Sequence, residues 1–228
     1  METTTQPINQ TSPGSTKMLV AMVGIGVMCA LLIVLVYEGT FSRIENLKAE
    51  ALQEAIFKVL PGTEKTKAFQ LTEDGNFTTE IKKDSKGQLV YAGYSADDQL
   101  TGVAISASGQ GYADIISILY GYDLKTETVV GFYVLETKET PGLGDKIEKE
   151  PHFLANFEAL DVSLTDDKSA VKNKVITVKQ GEKQNAWEVD GITGATISSR
   201  AIGSILGEST SELLPKIFQN KEVFELNK

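Results

Sequence analysis

The chain has 228 residues, with 22 Lys and Arg against 31 Asp and Glu, a formal net charge of −9, one His and one Cys. Binding to a phosphate backbone needs clustered cations, so this acidic chain is expected to bind no nucleic acid. A single Cys excludes an intrachain disulfide, a CxxC redox pair and a cysteine-ligated iron–sulfur cluster. A single His argues against a two-histidine zinc site and against a catalytic Ser–His pair. We therefore expect no metal site and no catalytic side chain, and any redox group would come from outside the chain.

An apolar run from Met18 to Tyr37 is the first element in chain order, and its twenty residues carry no charge. At 1.5 Å per residue it spans the roughly 30 Å hydrocarbon core of a bilayer. A cleavable signal peptide has a shorter apolar core, of about 7–15 residues. A buried core helix of a soluble protein would show a polar face. The run predicts an uncleaved transmembrane helix over 18–37, preceded by a disordered polar tail over 1–17.

The charges beside this span give a weak orientation signal. Lys17 precedes it, whereas Arg43 and Lys48 follow it closely. Long domains cross membranes largely regardless of charge. We expect a single-pass membrane protein in contact with lipid, with its N-terminus inside and its C-terminal domain on the extracytoplasmic side.

The rest of the chain reads as a helix followed by an α+β domain. Apolar residues recur at helical spacing after the span until Pro61-Gly62, which predicts a connecting helix over 38–62. Helical spacing returns over 196–218. Between the two helices, β-type runs separated by turn residues occur at 88–95, 101–109, 128–136, 173–179 and 185–191. These elements predict a helix-flanked sheet domain over 63–228.

The segment DGITGATISSR, residues 190–200, is the most informative motif. Its small residues let a ligand approach the backbone, and hydroxyls crowd the first turn of the predicted helix at Thr196, Ser198 and Ser199. Unpaired N–H groups and the positive end of the helix dipole make this a suitable place for phosphate. An ordinary N-cap made by Thr193 or Thr196 fits the pattern equally well. Walker A and GxGxxG patterns are absent from the sequence.

DGITGAT resembles the D-x-x-[ST]-G-A-T flavinylation motif of the FMN-binding-domain family, matching at Asp190, Thr193, Gly194, Ala195 and Thr196. A second segment resembles the loop that packs beside the isoalloxazine ring in that family, with the sequence Glu139-Thr140-Pro141-Gly142-Leu143-Gly144. The resemblance implies an FMN whose phosphate is esterified to Thr196 by a dedicated flavin transferase. Ser198, Ser199, Glu139, Thr140, Leu143 and Gly144 are expected around it.

One further segment is a weaker candidate. The turn at Gly111 and Tyr112 could let the ligand near the sheet, so both residues are included in the expected site. His152 and Trp187 are expected to be packing or surface residues.

Over residues 38–220 the chain resembles the family of G subunits of the Rnf electron transport complex. That resemblance implies a relay of single electrons on the route between ferredoxin and NAD, coupled to ion transport, with the other Rnf subunits as partners. The related family of C subunits of the sodium-translocating NADH:quinone oxidoreductase is the first alternative. A non-flavin extracytoplasmic scaffold domain is the second.

Overall fold

The computed structural model describes residues 14–81 and 87–225. Residues 1–13 of the predicted polar tail therefore lie outside the described part of the chain. The chain divides into two compact units, Met1–Glu50 and Ala51–Lys228. Helix α1 (Ser15–Val59) covers the predicted span and most of the predicted connecting helix; it begins within the predicted tail and ends three residues before position 62. Within the described residues it is the one helix long and apolar enough to cross a membrane.

The second unit contains a seven-stranded antiparallel sheet, in the order β2-β1-β3-β4-β5-β6-β7. Its strands are β1 (Lys65–Leu71), β2 (Phe77–Thr78), β3 (Leu89–Tyr94), β4 (Leu100–Gln110), β5 (Ile115–Asp123), β6 (Thr128–Glu136) and β7 (Leu160–Asp161). A separate parallel pair consists of β8 (Ile176–Val178) and β9 (Glu188–Asp190). The predicted runs at 173–179 and 185–191 therefore shorten to three residues each. Strands β1, β2, β5 and β7 were not predicted.

Helices flank the sheet, as the α+β prediction requires. They are α2 (Pro151–Leu154), α3 (Thr196–Gln219) and α4 (Lys221–Phe224), with short 3-10 helices at Gly144–Glu148 and Ala155–Phe157. The predicted helix over 196–218 corresponds to α3, which buries Ile202, Leu206 and Leu214 in the main core with the sheet. The predicted fold class is confirmed.

The other face of the sheet carries a second, smaller core. On β4 and β5, Ala104 and Leu119 point away from the main core because side chains alternate between the faces of a strand. They pack with the end of α1 and the residue after it, through Ala55, Ile56, Val59 and Leu60. The last turns of α1 are thus part of the folded domain.

Glycines on the sheet make room for this helix end. A Cβ on Gly121 would lie 1.9 Å from the carbonyl oxygen of Val59, and one on Gly131 would lie 2.5 Å from the Cα of Val59. Neither distance is possible for real atoms. The close approach of the α1 backbone to β5 and β6 therefore requires glycine at both positions.

Truncation tests the contribution of the α1 end to the domain. We expect residues 38–228 to be soluble and monomeric, whereas residues 64–228 aggregate because they leave Ala104, Leu119 and the glycine surface uncovered. Solubility, size-exclusion chromatography and thermal unfolding of the two fragments provide the check. A monomeric 64–228 fragment with the same melting temperature would contradict this role.

Candidate functional site

Helix α3 begins at Thr196 without a side-chain cap. Ala195 occupies the N-cap position with φ −127° and ψ 36°, and no side chain caps the first turn. The N-cap role considered for Thr193 or Thr196 is therefore wrong. Gly194 has φ +86°, in the left-handed region that favours glycine. The first-turn N–H groups and the positive end of the helix dipole remain available to an anion.

The four hydroxyls of this segment divide into two exposed and two buried groups. Ser198 donates its hydroxyl hydrogen to Glu139 Oε2. The Ser199 hydroxyl donates to the Thr196 carbonyl oxygen at 3.2 Å and accepts the Ile192 N–H at 3.4 Å. Thr193 and Thr196 are exposed. Only these two hydroxyls are accessible to a reacting phosphate.

Glu139 joins the three segments that were selected from the sequence. Its side chain is buried, with 5% exposed. Oε1 accepts the Ala113 N–H at 2.9 Å, and Oε2 accepts the hydrogen bond from Ser198 at the start of α3. A Cβ on Gly111 would lie 2.5 Å from Oε1, and one on Gly144 would lie 2.5 Å from Oε2. The Glu139 carboxylate therefore packs against the backbone at both glycines, and a side chain at either position would collide with it.

The loop that follows Glu139 is held by its own backbone. The Thr140 carbonyl oxygen accepts the N–H groups of Leu143 and Gly144, at 3.1 and 3.0 Å. Asp145 Oδ1 accepts the Gly142 N–H and Oδ2 accepts from Lys149, each at 2.7 Å. The hydrogen bond from Lys149 lowers the pKa of the Asp145 carboxyl. The loop keeps Leu143 52% exposed.

Apolar side chains are exposed around the start of α3. Ile197, the residue after Thr196, is 55% exposed, and Tyr112 on the 109–112 turn is also exposed. On the side of β8, a cavity of about 310 Å³ adjoins Thr196 and is lined by Thr177, Gln180, Thr193 and Arg200 among others. Arg200 was not selected from the sequence. Its position one helical turn after Thr196 is the signal that could have indicated it.

Asp190, the first residue of the motif, faces a different set of partners. Its carboxylate is buried, accepts the Gly181 N–H at 2.7 Å, and lies 2.7 Å from His152 Nε2. Its N–H donates to Asn156 Oδ1 at 3.0 Å. The next turn supplies Gln180, which accepts the Thr193 N–H at 2.9 Å. Asp190 thus holds the 180–182 turn, and His152 contacts this acid rather than serving only as packing.

A larger cavity, of about 580 Å³, lies elsewhere in the domain. It adjoins Leu100, Asp123 and Phe218, at the end of β4 opposite to Gly111. None of the motif residues lines it. Because Thr193 and Thr196 of the motif line the smaller cavity, that cavity belongs to the candidate site and the larger one does not.

This arrangement defines an FMN-binding domain attached to one long apolar helix. The family model of the FMN-binding domain matches residues 111–209, which include Glu139, the start of α3, the 139–144 loop and the second half of the 109–112 turn. Two solved structures share the fold with a TM-score of 0.58 each. Shewanella oneidensis NqrC is 16% identical and covers 78% of this chain and 96% of its own. The C subunit of the Na(+)-translocating NADH-quinone reductase from Parabacteroides distasonis is 20% identical, with 82% and 98% covered.

Sequence relatives identify the family more narrowly. The G subunit of the ion-translocating oxidoreductase complex of Methanosarcina acetivorans is 32% identical over 190 residues, covering 82% of this chain and 88% of that protein. The Escherichia coli (strain K12) protein of the same name is 31% identical over 157 residues, covering 68% and 70%. The chain belongs to the family of G subunits of ion-translocating oxidoreductase complexes. The resemblance noted from the two motifs is confirmed.

Proposed function

We propose that this protein is the membrane-anchored flavin subunit of an Rnf-type ferredoxin:NAD oxidoreductase complex, with FMN joined through its phosphate to the Thr196 hydroxyl. The observation that carries the proposal is the meeting of three segments at Glu139. Through Glu139, the 139–144 loop and the 109–112 turn are held at the first turn of α3, where Ser198 lies two residues after the exposed Thr196. A scaffold domain would not require this convergence.

The residues present fit FMN. The uncapped first turn of α3 offers N–H groups and the positive end of the helix dipole to a phosphate. Exposed Leu143 and Ile197 offer apolar surface to a flat ring. FMN supplies redox chemistry when bound, and these residues bind and orient it. The chain alone completes no reaction, because electron donors and acceptors belong to partner subunits.

Attachment requires help from outside the chain. A threonine hydroxyl is a weak nucleophile until a neighbouring base activates it. Among the described residues, no side chain forms a hydrogen bond with the Thr196 hydroxyl. A separate flavin transferase would recognise the exposed start of α3 and supply an activating base and a flavin nucleotide donor. The base would take the hydroxyl proton as the Thr196 oxygen bonds to the FMN phosphorus, while the phosphoanhydride bond of the donor breaks and a nucleoside monophosphate leaves.

The long apolar helix supports the anchoring part of the proposal. Its exposed apolar run is the right length for a single span. We propose that it lies in the cytoplasmic membrane of a prokaryote, in contact with lipid and with the other Rnf subunits, with the domain on the extracytoplasmic side. A covalent bond would keep the flavin from being lost by dilution there.

The test is co-expression of the full chain with a flavin transferase, followed by denaturing electrophoresis under ultraviolet light. We expect a fluorescent band, and peptide mapping should find an FMN-sized mass increase within residues 190–200. Expression without the transferase is the control and should give no fluorescence. Flavin that is absent from the denatured band after co-expression would favour the scaffold alternative.

Substitution of Glu139 tests the convergence of the three segments. We expect Glu139→Ala to lower the free energy of unfolding by about 1–3 kcal/mol, because the Ala113 N–H and the buried Ser198 hydroxyl lose their acceptor. FMN loading should fall with it. Glu139→Gln keeps one acceptor oxygen and should retain more of both quantities. Thermal unfolding and in-gel fluorescence measure them, and full loading of Glu139→Ala would contradict this role.

A further inference from the structure

Lys146 is a half-buried lysine on the 3-10 helix that follows the 139–144 loop. Its ammonium lies beside the turn that leads into α3, since a Cβ built on Gly194 would be 4.0 Å from Nζ. Gly194 precedes Thr196 by two residues. Two segments that are distant in sequence thus bring a cation to the start of α3.

The Lys146 ammonium forms no hydrogen bond or ion pair within the described residues. The neighbouring cations differ: Lys149 lies 2.7 Å from Asp145 Oδ2, and Lys138 lies 2.6 Å from Asp114 Oδ2. This contrast occurs in a chain with nine more acidic than basic residues. An anion at this turn would give the Lys146 ammonium the charge-assisted hydrogen bond that the neighbouring lysines already have.

The charges near Lys146 are complementary to an anion. The uncapped N–H groups of α3 and the positive end of its dipole point to the same region. A cation beside a helix N-terminus repels the dipole unless a negative group lies between them. A phosphate bound there would satisfy the ammonium and the backbone N–H groups together.

We propose that Lys146 binds the phosphate of the FMN attached at Thr196, an inference that rests on the function proposed above. Lys146 acts as a binding residue: it neutralises the phosphate and takes no part in forming the ester bond. It was not selected from the sequence, since the motif match ends at Gly144.

Chemical labelling of lysines gives a readout that does not depend on electron transfer. The full chain is purified in detergent with and without prior flavin attachment, treated briefly with an amine-acylating reagent, and analysed by peptide mass mapping. We expect Lys146 to be acylated roughly tenfold more slowly in the flavin-loaded protein, the factor that a charge-assisted hydrogen bond provides. Lys149 and Lys216 should react equally in both forms. Equal reaction of Lys146 in both forms would overturn the proposal.

Variants provide the second measurement. Lys146→Gln should accept FMN from the transferase roughly tenfold more slowly than the wild type, because the phosphate loses its cation. Lys146→Arg should restore most of the rate, and Lys216→Gln, in the last turn of α3, is the matched control. Thermal unfolding separates a folding defect from a loss of binding. A wild-type rate in Lys146→Gln, with equal melting temperatures, would count against the proposal.

Failure of the proposed function gives a different result. If the wild-type chain acquires no covalent FMN with the transferase, both the proposed flavin attachment and the proposed role of Lys146 are contradicted. If the wild-type chain carries covalent FMN but Lys146 is acylated as fast as in the flavin-free protein, only the inference about Lys146 is contradicted.

Discussion

Thr196→Val is expected to abolish covalent flavin attachment while leaving the domain folded. Valine has nearly the shape of threonine but lacks the hydroxyl that would form the phosphoester. The Thr196 side chain is exposed and caps no N–H group of α3. The free energy of unfolding should therefore change by less than about 0.5 kcal/mol. In-gel fluorescence and thermal unfolding after co-expression with the transferase measure both quantities.

Thr193→Val is the matched control. Thr193 is the other exposed hydroxyl of the segment, whereas Ser198 and Ser199 are buried and engaged in hydrogen bonds. We expect Thr193→Val to retain covalent flavin, at a lower level than the wild type because Thr193 belongs to the motif and lines the cavity. Fluorescence that persists in Thr196→Val and disappears in Thr193→Val would move the attachment point by three residues. Fluorescence that persists in both single variants would exclude attachment at one unique threonine.

Gly121→Ala is expected to be the most destabilising single-methyl change in the domain. The added Cβ would overlap the Val59 carbonyl oxygen, which is backbone and cannot rotate away as a side chain could. Either α1 lifts from the sheet or β5 distorts. Overpacking of this kind costs typically 1–3 kcal/mol, and the rigid neighbour places Gly121→Ala at about 3 kcal/mol.

Thermal unfolding of the full chain in detergent measures this effect. Gly39→Ala is the control, because Gly39 lies in the same helix α1 and a Cβ there meets nothing within 4 Å. We expect Gly39→Ala to leave the melting temperature of the domain unchanged. An equally unchanged melting temperature in Gly121→Ala would show that the end of α1 does not pack on the sheet as described.

The accuracy of the strand predictions followed the kind of pattern that each strand presents. Strand β6 has the predicted bounds, Thr128–Glu136, because turn residues delimit it on both sides. Strand β5 reads IISILYGYD, and its centre is buried on both faces, between the main core and the end of α1. A continuous apolar run of this kind lacks the alternation of a half-exposed strand. It was missed for that reason.

The candidate site was predicted in part. The sequence motifs indicated the start of α3, the 139–144 loop and the 109–112 turn. Their spacing along the chain does not show that Glu139 contacts Ser198 or Ala113. The partner of Asp190 was also beyond sequence reasoning, since His152 is thirty-eight residues away and isolated. Arg200 and Lys146 carry no motif of their own.

The sequence by itself determined the apolar span, the α+β class, the family and the segments proposed for the candidate site, because each depends on local composition or on short patterns. Only the tertiary structure decided which groups face one another. Antiparallel pairing of β5 and β6 brings Glu139 near the β4–β5 turn that carries Gly111 and Ala113, and the packing of α3 on the sheet brings Ser198 to the same carboxylate. Such contacts depend on the burial of distant apolar residues, which fixes the elements against one another and has no local signature in the chain.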